Sequence, residues 1–501
     1  MLEVCDMDEK VMANCFKRDL AAEIILKDRL SDDVPCTIGS DRWQFGYSDG
    51  DEDMVGISIE QAPWQRVLRN RAFTLDGKSL LITMGENPLD LIIKRSLITT
   101  IKPDPFHPQT VAKIFELGRR DLDQIKAPLL AVIPIDHFQK PDFFHYFGHW
   151  VTEDERLICS VDSPQVSCCL NGIRFRFKDH LFLVYEYCED IKSEQRQIVV
   201  EPEGDFSYKE FCECVRRILV VIGFFSGTYY FGPFWIFNAQ THDLIAYNHC
   251  MAKGGEAKYH MWSLNPYEYL ADADKEPMAA REIEKELRPI TKGQFELLLS
   301  LLDDERYSYF FYIFQDISLN MSHLTAAAKF PVYAACLEAC KEWWIHKNPQ
   351  HNAMLYTEEQ RLEIIGKMEE LLMTYYAGPD TDYILGKKIK NQSIFRAGNM
   401  DELKAAINGI GMTLSDEEIK ALGWRNDILH GRDIIKSTFA SDSPSSYINE
   451  MERKLFVLHE IIWRFIMKSI GYNGSYVDVA KVNELFRDSK SNGGLPLKRQ
   501  V

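Results

Sequence analysis

The 501-residue chain has no P-loop signature, no GxGxxG turn and no CxxC pair. The first two absences remove the usual phosphate-cradling loops of nucleotide hydrolysis and dinucleotide binding. The third removes the commonest frame of a structural zinc site. The twelve cysteines are scattered instead, with Cys168 beside Cys169 and Cys212 two residues from Cys214. Such spacing suits neither a disulfide framework nor a metal cage, and fits a reducing compartment. Cys336 and Cys340 are four apart in a helical pattern and are expected to pack as small apolar residues. No metal and no cofactor are expected.

Positive charge is also in short supply. Lys and Arg number 58 against 75 Asp and Glu, a formal net charge of −17. A chain so acidic does not coat nucleic acid by bulk attraction, and any nucleic-acid chemistry needs a local basic patch. A basic leader is missing as well: the first residues, MLEVCDMDEK, are acidic, which argues for the cytoplasm. Only residues 218–237, ILVVIGFFSGTYYFGPFWIF, are uncharged for long enough to span a bilayer. Ser226–Gly227 and Gly232–Pro233 break that run, so it reads as a buried helix end, a glycine turn and a core strand, with no membrane partner.

What is present divides the chain in two. Residues 1–275 read as a mixed, strand-rich α/β region with a sensing or regulatory role. Short apolar runs bounded by turn residues occur at 54–60, 79–84, 128–134, 172–187, 197–202 and 234–238. One helix stands among them, opened by Ser207 with Glu210 at the capping-box position and running to Phe225. Residues 276–480 read as an all-α bundle, and 481–501 as a solvated tail. Within the bundle, Ile448, Met451, Leu455, Leu458, Ile462 and Phe465 line one helix face, and Leu362, Ile365, Met368, Leu372 and Tyr375 line another. A third helix is expected to begin at Pro331 in its first turn. The fold class is therefore α+β, a strand-rich N-terminal domain followed by a helical C-terminal domain.

The stretch GWRNDILHGR, residues 423–432, carries chemistry. Ser415 followed by Asp416, Glu417 and Glu418 starts a helix, which is expected to run to His430 and stop at Gly431. On that helix Asn426 and His430 share a face, while Arg425 lies about 140° round the axis from His430, within reach of a long side chain. The negative end of the helix dipole favours the imidazolium and raises the pKa of His430. A histidine titrating near working pH is suited to proton transfer, and a guanidinium beside it can hold a phosphate through two oriented hydrogen bonds. The bland alternative is a helix end whose polar side chains satisfy terminal carbonyls. Arg174…His180 and Arg453…His459 have looser spacing and are assigned to structure. The pair His145 and His149 is read as part of an aromatic cluster. Glu418-x-Lys420, a fragment seen in metal-dependent nucleases, sits at a helix start without a strand-borne Asp before it.

Arg-Asn, three residues, then His-Gly, within an all-α C-terminal region, resembles the HEPN superfamily of ribonucleases. The layout, a larger β-containing region before the bundle, is similar to that of the ApeA-type anti-phage proteins. The resemblance implies a HEPN helical nuclease domain and metal-independent endoribonuclease activity. In that chemistry a 2′-hydroxyl attacks the adjacent phosphate, leaving a 2′,3′-cyclic phosphate and a 5′-hydroxyl. It implies His430 as the proton-transfer group, Arg425 as the stabiliser of phosphorane charge, and Asn426 as the group that orients the histidine. Glu338 is a candidate acid facing the cleft behind these groups, or equally an ordinary helix-surface residue. Lys387, Lys388, Arg432 and Lys436 are candidate RNA-binding residues, or simply a solvated basic surface. One motif supplies one histidine, whereas in-line attack is best served by a base and an acid, so a homodimer or higher oligomer is expected. RNA, tRNA included, is the expected substrate, and a phage-derived trigger of abortive infection the expected activator. The competing reading is a non-catalytic HEPN dimerisation or binding module that recognises a phage or host ligand.

Overall fold

Eleven strands of the N-terminal region join into one sheet in the computed structural model. The structure describes residues 22–23, 55–59, 79–84, 87–102, 109–119, 121–134, 168–188, 197–226, 228–230, 233–241, 243–249, 258–260, 290–319, 325–349, 357–375, 399–429, 444–478 and 497–498. The sheet strands are β1 (Ala22–Glu23), β2 (Val55–Ile59), β3 (Ser79–Met84), β4 (Asn87–Lys102), β5 (Gln109–Arg119), β6 (Leu129–Pro134), β7 (Cys168–Phe177), β8 (His180–Cys188), β9 (Gln197–Pro202), β10 (Pro233–Asn238) and β11 (Leu244–His249). They follow the order β1-β3-β4-β5-β11-β10-β6-β9-β8-β7, with β2 also pairing β5. Every ladder is antiparallel. Leu129–Ile133 and Ile198–Val200 are buried throughout, as near-continuous apolar strands in the middle of a sheet should be.

One helix, α1 (Tyr208–Ser226), belongs to the same unit. Its start has the expected serine N-cap: the Ser207 hydroxyl accepts from the Glu210 amide at 3.4 Å and donates to the Glu210 carboxylate at 3.5 Å. The uncharged run that follows holds the expected end of α1 and core strand β10, with an unanticipated short strand, Thr228–Tyr230, between them. No helix among the described residues is long and apolar enough to cross a membrane. Burial pushes the Cys214 thiol on α1 up to about 11, which keeps it protonated and inert.

The chain divides into two compact units, one of residues Met1–Met261 with Pro289–Leu299, the other of Trp262–Arg288 with Ser300–Val501. The expected boundary at 275/276 lies outside the described residues. The short helix α2 (Lys292–Leu301) begins in the first unit, where Phe295 meets Phe175 and Phe225. There the Glu296 carboxylate accepts from the backbone amide of Arg176 at 2.6 Å. Arg176 lies on β7, the last strand of the sheet order, so this contact occupies an edge amide that would otherwise invite another strand.

The second unit contains α3 (Glu305–Leu319), α4 (Ala326–Lys347), α5 (Glu358–Tyr375), α6 (Asn399–Gly409), α7 (Asp416–Leu429) and α8 (Pro444–Ser469). Mixed α+β is thus the architecture of the chain as described. Aromatic side chains join α3, α4 and α8: Trp343 lies 5.1 Å from Tyr307 and 5.9 Å from Phe465, both edge-on. Cys336 and Cys340 are buried free thiols on α4, as their spacing suggested. In the stretch expected as a tail, Leu497–Lys498 pairs with Tyr476–Val477.

Two helical expectations are corrected and one is extended. Pro331 does not open α4 but sits inside it; Thr325 is the N-cap, its side chain accepting from the Ala328 amide. Proline is the more familiar start signal, and the threonine six residues earlier supplies the better acceptor. On α8, Met451, Leu455, Leu458, Ile462 and Phe465 are buried as expected, and the burial goes beyond them: the thirteen consecutive residues Leu455–Met467 are all buried. The helix runs through the interior, where three- and four-residue spacing understates the burial. On α5 the opposite holds. Leu362 is 57% and Tyr375 82% exposed, and every described residue of that helix is half-buried or exposed. Periodicity marks where a helix could bury a stripe, not whether a neighbour covers it.

Close packing also fixes the end of α6. A Cβ added at Gly409 would lie 2.1 Å from the Trp344 ring. Gly409→Ala must displace a buried indole and should cost about 1–3 kcal/mol, read as a lower urea midpoint at unchanged slope.

Candidate functional site

The motif helix α7 begins with a complete capping box. The Ser415 amide donates to Glu418 Oε2 at 2.7 Å, and the Glu418 amide donates to the Ser415 hydroxyl at 3.3 Å. The same Glu418 carboxylate accepts from Arg464 Nη1 on α8, and Arg464 Nη2 donates to the Thr413 carbonyl at 2.8 Å. Arg464 also lies 5.2 Å from the centroid of the Tyr476 ring. Both side chains of this ion pair are nearly sealed, at 5% and 6% exposure. Glu418 is thus a structural anchor, in keeping with its reading as something other than a metal-nuclease residue. No group of three or more His, Cys, Asp or Glu among the described residues could hold a metal ion.

Two further contacts tie α7 to α8. Arg453 pairs with Glu417 at 2.8 Å on the surface. The Lys454 ammonium sits 4.5 Å over the Trp424 ring. Ala421 and Leu422 are fully buried between these anchors.

The backbone of Arg425 and Asn426 lies within α7, whose described extent stops at Leu429, one residue before His430. By helical phase Arg425 follows Glu418 by seven residues and Ala421 by four, so its backbone position falls on the side of α7 that packs. Asn426 follows Ile419 by seven, and Ile419 is 39% exposed. Side chains at Arg425 and Asn426 lie outside the described residues, as do His430, Gly431, Arg432, Lys436, Lys387 and Lys388. His145 and His149 also lie outside them.

Glu338 is placed firmly. It is half-buried on α4, 3.1 Å from Lys341, and its Oε1 accepts from Asn399 Nδ2 at 3.2 Å. Lys341, 6% exposed, is also 3.2 Å from Glu342 and 3.3 Å from Glu402, and it donates to Asn399 Oδ1. This cluster clamps α4 to the start of α6. The three carboxylates offset the cost of enclosing this side chain.

The looser Arg…His pairs are structural. Arg174 is bridged to Glu203, and the His180 ring packs at a tilt against Phe206, centroids 4.2 Å apart. His459 is fully buried on α8, its Nδ1 3.0 Å from the Tyr333 hydroxyl and its ring 4.7 Å from Phe314. Burial drives the Tyr333 phenol far above its ordinary range, so this bond involves a neutral hydroxyl. The Glu418–Arg464 pair and the Lys341 clamp were missed in the sequence. Glu418 stood at a legible capping position, but partners 46 and 61 residues away leave no local signal.

Gly423, inside α7, has nothing within 4 Å of an added Cβ and shows no positive φ. Gly423→Ala should therefore raise stability by about 0.5–1 kcal/mol, seen as a higher denaturant midpoint, since only backbone entropy changes.

No protein family, curated protein or solved structure matched this chain in comparison.

Proposed function

We propose that the chain is a metal-independent endoribonuclease of HEPN type, a triggered cytoplasmic toxin of anti-phage abortive infection. The observation that carries the reading is the position of RNDILHG, whose arginine and asparagine fall in the last turns of a capped helix. A helix that closes at His430 brings the negative end of its dipole to the imidazole and favours the protonated form. Arg425 then holds the scissile phosphate while the imidazole moves protons, and Asn426 orients the ring. Each copy contributes one such set, and a two-fold homodimer supplies both base and acid. Lys387, Lys388, Arg432 and Lys436 contact flanking phosphates of the RNA, and the strand-rich unit senses the trigger.

The test is cleavage of total RNA and tRNA in EDTA by wild type, Arg425→Ala and His430→Ala, with the ends of the fragments determined. Cyclic phosphate and 5′-hydroxyl ends from wild type alone support the reading. Indistinguishable RNA from all three, with wild type taken from cells arrested by phage infection, returns the chain to the non-catalytic binding module.

A further inference from the structure

Four of the eight large apolar side chains that stand exposed among the described residues lie on one helix, α5: Leu362, Leu371, Met373 and Tyr375. Single exposed apolar residues are ordinary on a surface, whereas several on one short element mark a place of contact. Glu359, Leu362, Gly366, Glu370 and Met373 are spaced three, four, four and three apart, so they run along one side of α5. Glu359 and Glu370 stand about 16 Å apart along the axis and bracket Leu362 and Gly366. A Cβ added at Gly366 would meet nothing within 4 Å, which leaves an open notch in the middle of the line. This side of the helix is acidic. Glu359, Glu363 and Glu370 are exposed, and the one exposed base of α5, Lys367, is paired with Glu363 and lies near enough to Glu370 to feel its charge. Glu369 is half-buried next to the same line, while Arg361 is half-buried well round the helix from it.

We propose that this side of α5 is the docking surface for a basic amphipathic helix of a partner protein. Leu362 and Met373 are its apolar anchors, and Glu359 and Glu370 select the charge. A convex helix face is matched by the ridges of a second helix, whose apolar side chains recur three and four apart, and Gly366 admits one of them against the backbone. Lysine or arginine flanking those apolar residues meets the carboxylates, which speeds encounter and rejects acidic surfaces. The same charge disfavours the other occupants. An RNA strand and an anionic lipid surface are repelled by an acidic line, and a second copy would set that line against itself. Formation of this complex does not depend on the nuclease reading.

The test uses the full chain and a fluorescein-labelled synthetic peptide of leucine and lysine, with the leucines three and four apart. Two control peptides carry the same residues in scrambled order, or glutamate in place of lysine. Fluorescence anisotropy should show the patterned lysine peptide binding about tenfold tighter than either control. Leu362→Ser and Met373→Ser should each weaken it about tenfold, and both residues are exposed enough for the fold to survive the change. Glu359→Gln and Glu370→Gln should each weaken it about two- to fivefold at low salt and flatten its salt dependence. Glu359→Lys combined with Glu370→Lys should turn the preference towards the glutamate peptide. Affinity unchanged across these variants would overturn the surface, as would equal binding of the three peptides. A wild-type dimer in sedimentation that Leu362→Ser dissolves would give the surface to a second copy and overturn it as well. RNA cleavage is scored separately and bears on none of these outcomes.

Discussion

Replacing His430 with alanine should lower RNA cleavage by about 100- to 10,000-fold, the range supplied by a positioned proton-transfer group. On the proposed nuclease reading the loss falls on kcat, because there the imidazole acts on protons that move only in the transition state. Arg425→Ala should lower cleavage about 100- to 1,000-fold, as removal of a fixed donor to developing negative charge does. If two copies supply one base and one acid, wild-type kcat against pH is bell-shaped, rising as one imidazole becomes neutral and falling as the other loses its proton. Mixing His430→Ala with wild-type chains would then give dimers carrying one imidazole. Their cleavage should lie near that of His430→Ala homodimers rather than midway. A mixed dimer at half the wild-type rate would mean that each motif works alone.

Arg464→Ala should destabilise the helical unit by about 3–5 kcal/mol, the cost of stranding one member of a buried ion pair. Three contacts go at once: the bond to Glu418, the donor to the Thr413 carbonyl, and the guanidinium packed against Tyr476. The Glu418 carboxylate stays enclosed, held by the Ser415 amide and the start of α7. Adding Glu418→Gln removes the stranded charge while keeping an acceptor for that amide. The double variant should therefore be more stable than Arg464→Ala alone, and the two changes should be far from additive. Chemical unfolding followed by helix signal checks both statements. Additive losses would show that the two side chains act independently. The consequence for the motif is direct, since this pair fixes where α7 begins and therefore where the residues two turns later lie.

Local rules carried much of the fold. The apolar runs at 79–84 and 197–202 gave strands at those bounds, and Ser207 and Ser415 gave both N-caps. Strand β4 went unread because Lys94 and Arg95 interrupt its apolar run, and β5 because its short apolar pieces are broken by charge. Both are held by a long antiparallel ladder with each other, which overrides weak intrinsic preference. The burial of α8 and the exposure of α5 depend on neighbours far along the chain, and no window of sequence contains them. Of the candidate site, the helix and its phase were legible from the spacing of Ser415, Glu418, Arg425 and Asn426. The anchors that position it, Arg464, Arg453 and Lys454, were not, because ion pairs across helices follow from packing rather than from pattern.

Helix α8 has a bearing on how the protein is made. Its thirteen-residue enclosed stretch supplies packing surface to α4 and anchoring groups to α7, yet it is synthesised after both. While it is still within the ribosome, α3, α4 and α7 have no centre to close upon. The motif helix thus reaches its packed position only late in translation, and nascent chains that stall before residue 444 should lack the contacts that fix it.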